Sequence, residues 1–190
     1  LGSVSSSPLQ MASVFATIAN SGQQCTPQSI ESVTDRDENV LKEFSADCKE
    51  VISADVANKT AALLTASAGQ YYTSTRLGDG RPFAAKSGTT DGHANTWLTG
   101  FTPSIVTAAW VGHGENSSQE VGPVTINGRY YGEIYGETFV GQNIWAPYMT
   151  QALAGTPVEA VSNANIGATT PQRGATPTPA PSASPNSNDH

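Results

Sequence analysis

The stretch Phe83-Ala84-Ala85-Lys86-Ser87-Gly88-Thr89-Thr90 sets a cation, a hydroxyl, a glycine and two further hydroxyls in a row. Two unrelated structures use such a string: a loop that cradles phosphate, and a strand that grips a carboxylate. Extended upstream, Gly80-Arg81-Pro82-Phe83-Ala84-Ala85-Lys86-Ser87 is one residue away from the G-x-x-x-x-G-K-[ST] phosphate loop, with Ala85 where the second glycine belongs. That glycine lets the backbone bend so that successive amides aim at a phosphate, and a side chain obstructs the approach. A phosphate loop also needs a long helix after it, whereas Gly88-Thr89-Thr90-Asp91-Gly92 runs on into turn residues. The strand is therefore the better reading, and its plainest version makes Lys86 a solvated charge on an ordinary strand that ends in a polar turn.

Working outward, three strands are expected over Arg81 to Thr90, Thr96 to Thr102 and Ser104 to Val111, joined by Asp91-Gly92-His93-Ala94-Asn95 and Thr102-Pro103. Links this short make consecutive antiparallel hairpins. Trp97, Phe101, Ile105 and Trp110, with Ala108-Ala109, leave neither face plainly polar, which suits a sheet covered on both sides. Asn127-Gly128 marks another hairpin. Before the sheet, Ser7-Pro8 is a helix start, followed by Leu9, Ala12, Phe15, Ala16 and Ala19 on one face. A second helix is expected from Asp55 to Ala66 with Ser53 as cap and Val56, Leu63 and Leu64 inward, and a last one from Trp145 to Leu153. The fold class is α+β: an antiparallel sheet flanked by helices.

Cys25 and Cys48, the only two cysteines, flank a hairpin over Ser29–Thr34 and Val40–Phe44. Strands that run out and back bring their far ends together, so a disulfide across the base is reasonable, and it would place the chain outside the cytoplasm. The alternative is two unrelated buried thiols. A net charge of −7 and a pI of 4.8 exclude a nucleic-acid surface. No apolar run approaches the ~20 residues of a membrane helix, so any anchor is expected outside this chain. The start at Leu1, without Met and close to a helix, reads as a cut on the N-terminal side. From Thr156 the sequence turns to Thr, Pro, Ala, Ser and Asn. Such a segment cannot bury enough apolar surface to offset its ordering entropy, so 1–155 is expected to be organised and 156–190 a disordered tail.

Several motifs together carry a resemblance. Ser7-Pro8-Leu9-Gln10-Met11-Ala12 with Phe15-Ala16-Thr17-Ile18-Ala19-Asn20, then Lys86-Ser87-Gly88-Thr89-Thr90, Trp97-Leu98-Thr99-Gly100-Phe101-Thr102-Pro103, Ala109-Trp110-Val111-Gly112 and Ile144-Trp145-Ala146-Pro147-Tyr148-Met149 follow one another in order. This series resembles the C-terminal half of the transpeptidase domain of penicillin-binding proteins. The Val33-Thr34-Asp35-Arg36-Asp37 hairpin and the Pro-rich tail are most similar to the class A enzymes, in particular those of actinobacteria.

The resemblance implies the fold of serine β-lactamases and penicillin-binding transpeptidases, a five-stranded antiparallel sheet between helices. The third strand would carry Lys86 to Thr89. It also implies an extracytoplasmic peptidoglycan D,D-transpeptidase with no cofactor, whose partners are stem peptides ending in D-Ala-D-Ala, β-lactams and the missing N-terminal half of the same protein. In that setting Lys86 supplies positive potential and Ser87 a hydrogen bond to the terminal carboxylate, with the Thr89 hydroxyl a second donor. Gly88 lets the substrate backbone lie along the strand, and the Thr89 N–H is one of two oxyanion donors.

The family's nucleophile sits in a Ser-x-x-Lys box, and none of Lys42, Lys49, Lys59 and Lys86 has a serine three places before it. No Ser-x-Asn precedes Lys86; Ser184-Pro185-Asn186 is in the tail and out of order. This chain alone is expected to be inactive. Ala85 and Ser87 depart from the glycine and threonine usual in the family, and Tyr71-Tyr72-Thr73-Ser74-Thr75 stands where many relatives have a glycine-rich segment. His93 and His113 have no partner at metal-ligand spacing, though His93 and Asp91 follow the active strand and could line a cleft mouth. Trp97, Trp110 and Trp145 are expected in the core. The competing class of function is a non-catalytic extracellular module that binds wall peptides.

Overall fold

The computed structural model describes residues 4–116 and 118–161. The chain opens with helix α1 (Pro8–Ala19), capped as its sequence requires: the Gln10 N–H donates to Ser7 Oγ, and the Ser7 N–H donates to Gln10 Oε1 at 2.8 Å. Strands β1 (Gln23–Cys25) and β4 (Cys48–Glu50) pair antiparallel, with Cys25 opposite Cys48 and joined to it by a disulfide. Between them β2 (Ser32–Thr34) and β3 (Val40–Glu43) form the expected hairpin. Its turn is closed by Asp35, whose carboxylate accepts from Asn39 and is thereby held below its ordinary pKa.

Helix α2 (Ala54–Tyr71) is capped by Ser53 and runs five residues beyond the expected Ala66 in spite of Gly69, because Ala68 is packed in the core and its carbonyl accepts from the Tyr72 N–H. Its buried stripe is Ala57, Ala61 and Ala68. Val56 and Leu63, expected inward, are 51% and 58% exposed. The small residues form the contact because they let α2 approach the sheet and α1 closely, which turns the larger side chains outward. Leu9 of α1 is likewise exposed, and Phe15 carries that helix into the core.

The central sheet is β5 (Ala84–Thr89), β6 (Asn95–Phe101) and β7 (Val106–Gly112), antiparallel in the order β5-β6-β7. Among the described residues it has three of the five strands the resemblance implies, and β5 lies at its edge. Beyond it β8 (Val124–Ile126) and β9 (Arg129–Tyr131) close on Asn127-Gly128, both with positive φ as the tight hairpin demands.

The chain then returns through a wide π-type helix over Gly136–Trp145 into α3 (Ala146–Ala152). The sequence gives no sign of the π-type segment, because its residues carry no clean 3.6 period. It delivers Trp145 into the core against Phe83, where the indole N–H donates to the Thr107 carbonyl. Pleat alternation divides the sheet accordingly. Ala85, Leu98 and Ala109 face the Trp145 and Met149 side, and Ala84 and Phe101 face Phe15 and Ala61.

The loop before β5 is pinned by Arg81, whose buried guanidinium donates to Asp79 and to Leu153, Thr156 and Pro157 after α3. Thr156 and Pro157, the first residues of the expected tail, thus bind the domain; 162–190, with Ser184-Pro185-Asn186, lie outside the described residues. Among the described residues no helix is long and apolar enough to cross a membrane.

Candidate active site on the edge of strand β5

The geometry of β5 follows from two hydrogen bonds. The Thr90 N–H donates to the Asn95 carbonyl of the neighbouring strand, whereas the Ser87 N–H donates away from the sheet, to Tyr72 Oη at 2.8 Å. Backbone amides alternate in direction along a strand, so the Thr89 N–H turns to the same open edge as that of Ser87. The Ser87 carbonyl also faces this edge and accepts from Lys86 Nζ at 2.8 Å. The lysine therefore wraps its ammonium round the strand to the side where the outward amides point.

Side chains alternate as well. Lys86 and Gly88 look into an open groove of about 640 Å³, whose floor includes Trp97, Thr99 and Trp110 and whose far wall is Ser6, Pro8 and Met11 at the start of α1. Ser87 and Thr89 look to the opposite face, toward the π-type helix, where the Gly136 N–H donates to Thr89 Oγ1 at 3.3 Å. A methyl group built on Gly88 would meet only Trp97 Cβ at 3.8 Å, which is ordinary contact. Nothing in the interior requires a glycine there. One built on Gly136 would lie 2.2 Å from the Trp97 carbonyl and 2.9 Å from Ser87 Cβ, so the close approach of the π-type helix to β5 depends on glycine.

The four residues singled out on β5 thus lie together at one edge, with Lys86 and Thr89 exposed and Ser87 and Gly88 half-buried. Trp145 is in the core as expected, but Trp97 and Trp110 are half-buried in the groove, ring centroids 6.1 Å apart. Trp110 Nε1–H donates to Asn95 Oδ1. Of the histidines it is His113 that lines the groove; His93 packs on Tyr135 at 4.8 Å. The Tyr135 phenol is raised above its ordinary value because it is hydrogen-bonded to the Glu133 carboxylate. Two contributors were missed by sequence reasoning. Tyr72, buried at the end of α2, contacts β5 directly, and Gly136 admits the helix beneath it. Tyr72 stands in a segment that departs from the family pattern, and a lone tyrosine carries no spacing signal.

Comparison with known proteins gives a consistent picture. A family model described as "Penicillin binding protein transpeptidase domain" matches residues 1–125. "Penicillin-binding protein 1A" of Mycolicibacterium smegmatis is 35% identical over 189 residues, 94% of this chain and 23% of that protein. "Penicillin-binding protein 2D" of Bacillus subtilis is 31% identical over 170 residues, 83% of this chain and 22% of that protein. The chain thus spans about a quarter of the length of these relatives. Among solved structures, the penicillin-binding protein PonA1 from Mycobacterium tuberculosis superposes with a TM-score of 0.66 at 33% identity, over 80% of this chain and 40% of that one. Penicillin-binding protein 1A from Haemophilus influenzae gives a TM-score of 0.63 at 22% identity, over 85% of this chain and 28% of that one, a likeness of fold.

Proposed function

Since the chain belongs to the penicillin-binding protein transpeptidase family, with class A relatives, we propose that it forms the C-terminal part of a peptidoglycan D,D-transpeptidase acting on the outer face of the cell membrane. The complete enzyme would transfer an acyl group from a D-Ala-D-Ala stem peptide, through a serine ester, to a cross-linking amine. The observation that supports this reading best is the edge of β5. The Thr89 N–H and the Lys86 ammonium converge there, with the Ser87 N–H held by Tyr72, beside a Gly88 that no internal packing requires.

An extended peptide ending in a carboxylate suits such an edge. Its backbone lies along the strand over Gly88, and its carboxylate meets the positive potential of Lys86 and the Ser87 hydroxyl. The carbonyl under attack points at the Thr89 N–H, and losing one such oxyanion donor typically costs about 3–4 kcal/mol in the transition state. β-Lactams would enter by the same contacts. The Thr89 hydroxyl already accepts from Gly136, so its own proton is left for the ligand. The nucleophilic serine, its base and the second oxyanion amide would come from the segment that carries Ser-x-x-Lys and Ser-x-Asn.

Labelling with a fluorescent penicillin tests the proposal. The complete protein should label covalently, and this chain alone should not. A chain that labels by itself would overturn the assignment of the nucleophile to another segment. A complete protein that binds stem peptide without labelling would instead be a non-catalytic wall-peptide module. Lys86→Ala in the complete protein should slow acylation at least tenfold with the fold intact. Unchanged acylation would remove the role given to β5.

A further inference from the structure

We propose that Tyr72 is a positioning residue that aims the Ser87 hydroxyl proton into the site and so sets its preference for a ligand bearing a free carboxylate. The inference rests on the reading of Ser87 as the carboxylate donor. It follows from counting donors and acceptors around one buried phenol. Tyr72 is 6% exposed, and its ring belongs to the core cluster with Leu77, Phe83 and Ala85. Its backbone is fixed at the end of α2, where its N–H donates to Ala68 and its carbonyl accepts from Thr75. The phenol oxygen cannot swing away from β5.

A phenol oxygen offers one proton and one good in-plane acceptor direction. The Ser87 N–H, at 2.8 Å, occupies the acceptor direction. The proton is left for Ser87 Oγ, at 3.2 Å. Phenols are stronger acids than aliphatic alcohols, which favours the same sense of donation. Ser87 Oγ therefore accepts from Tyr72, and its own proton must turn elsewhere. Gly136, the neighbour across this face, has no side chain to accept it. The open strand edge, where Lys86 Nζ rests on the Ser87 carbonyl, is the remaining direction. A hydroxyl proton and an ammonium presented at one edge suit an anion and gain little from an ester.

Phenylalanine at position 72 keeps the ring but removes the proton donor and the acceptor, so the Ser87 hydroxyl is released to turn. The experiment measures acylation of the complete protein by a penicillin with its carboxylate free and by the methyl ester of the same penicillin. For Tyr72→Phe, reaction with the free acid should slow about tenfold, the worth of one oriented hydrogen bond, and reaction with the ester should be unchanged. Ser87→Ala should show the same selective loss, and the double variant should be no slower than Ser87→Ala alone, because both act through one hydroxyl. Circular dichroism and an unchanged Tm check separately that each variant is folded.

If Ser87→Ala reacts normally with the free acid, the carboxylate role of Ser87 fails, and the inference with it. If Ser87→Ala is slowed while Tyr72→Phe is not, the site reading stands and the role of Tyr72 is refuted. Equal slowing of acid and ester in Tyr72→Phe also refutes it, since that is the pattern of a merely structural residue.

Discussion

Removing the Arg81 guanidinium should unfasten the end of α3 from the loop that leads into β5. The side chain is 4% exposed, and its fork donates to Thr156 Oγ1 at 2.8 Å, the Thr156 carbonyl at 3.0 Å, the Pro157 carbonyl at 3.2 Å and the Leu153 carbonyl at 3.5 Å. Arg81→Met fills much of the same volume but removes all four bonds: the Leu153 carbonyl keeps the Thr156 N–H and hydroxyl, whereas the Thr156 and Pro157 carbonyls lose their donor. The two short bonds to Thr156 are worth about 1 kcal/mol each, and the half-buried Thr156 carbonyl left without a donor adds about another 1, for a loss near 3 kcal/mol. In a chain of this size that corresponds to roughly 6–12 °C in Tm. Arg81→Lys retains the charge but not the planar fork, and about half the loss is expected. Thermal unfolding of the chain in sodium sulfate, which strengthens apolar burial and keeps the parent well folded, supplies the measurement. A loss below about 0.5 kcal/mol for Arg81→Met would refute the clamp, since that is the range of ordinary surface substitutions. So would an equal loss in Asp79→Asn, because the hold would then lie in the half-exposed ion pair and not in the carbonyls.

Hydrogen bonding from Arg81 holds the Asp79 carboxyl below its ordinary pKa, so its contribution is present above the unfolded value near 3.9 and fades as pH falls through the folded one; the Tm gap between parent and Asp79→Asn should therefore close on acidification below about pH 4. Gly136→Ala should destabilise by about 1–3 kcal/mol in urea unfolding, because its methyl meets backbone at 2.2 Å, whereas Gly88→Ala should stay within about 0.5 kcal/mol yet slow acylation of the complete protein. Reduction of Cys25–Cys48, 23 residues apart, should cost roughly 3 kcal/mol by loop entropy and shift the denaturation midpoint without altering β5.

What could be read in advance followed the strength of the local signals. Ser7-Pro8 and Asn127-Gly128 encode their structures within a few bonds, and they appear where expected. The sheet hairpins were legible because Asp91 to Asn95 and Thr102 to Ser104 leave the chain too little length for anything else. The inward face of α2 is legible only at Leu64, which packs against the Phe15 and Phe101 cluster: apolar periodicity also points to Val56 and Leu63, while the closest contact is made by alanines whose advantage is small size. The π-type helix lacked a period to read, and Arg81 looked like any loop cation until its partners, more than 70 residues away, were in place.

The glycines show how the two sources of information divide. Ala85, a departure from the family's usual glycine, is accommodated because Gly100 stands opposite it: a methyl group on Gly100 would lie 2.9 Å from Ala85 Cβ and 2.8 Å from Trp145. Gly100 and Gly136 are thus held by interior packing, which sequence alone does not reveal. The resemblance gives Gly88 to a ligand's approach, and a methyl group on it would make only an ordinary contact with Trp97 Cβ. A glycine in a strand lowers stability relative to alanine, so one that no neighbour requires points to something outside the fold that must come close. Gly88→Ala and Gly136→Ala consequently separate the two causes: one variant should lose the ligand and keep the fold, and the other should lose the fold first.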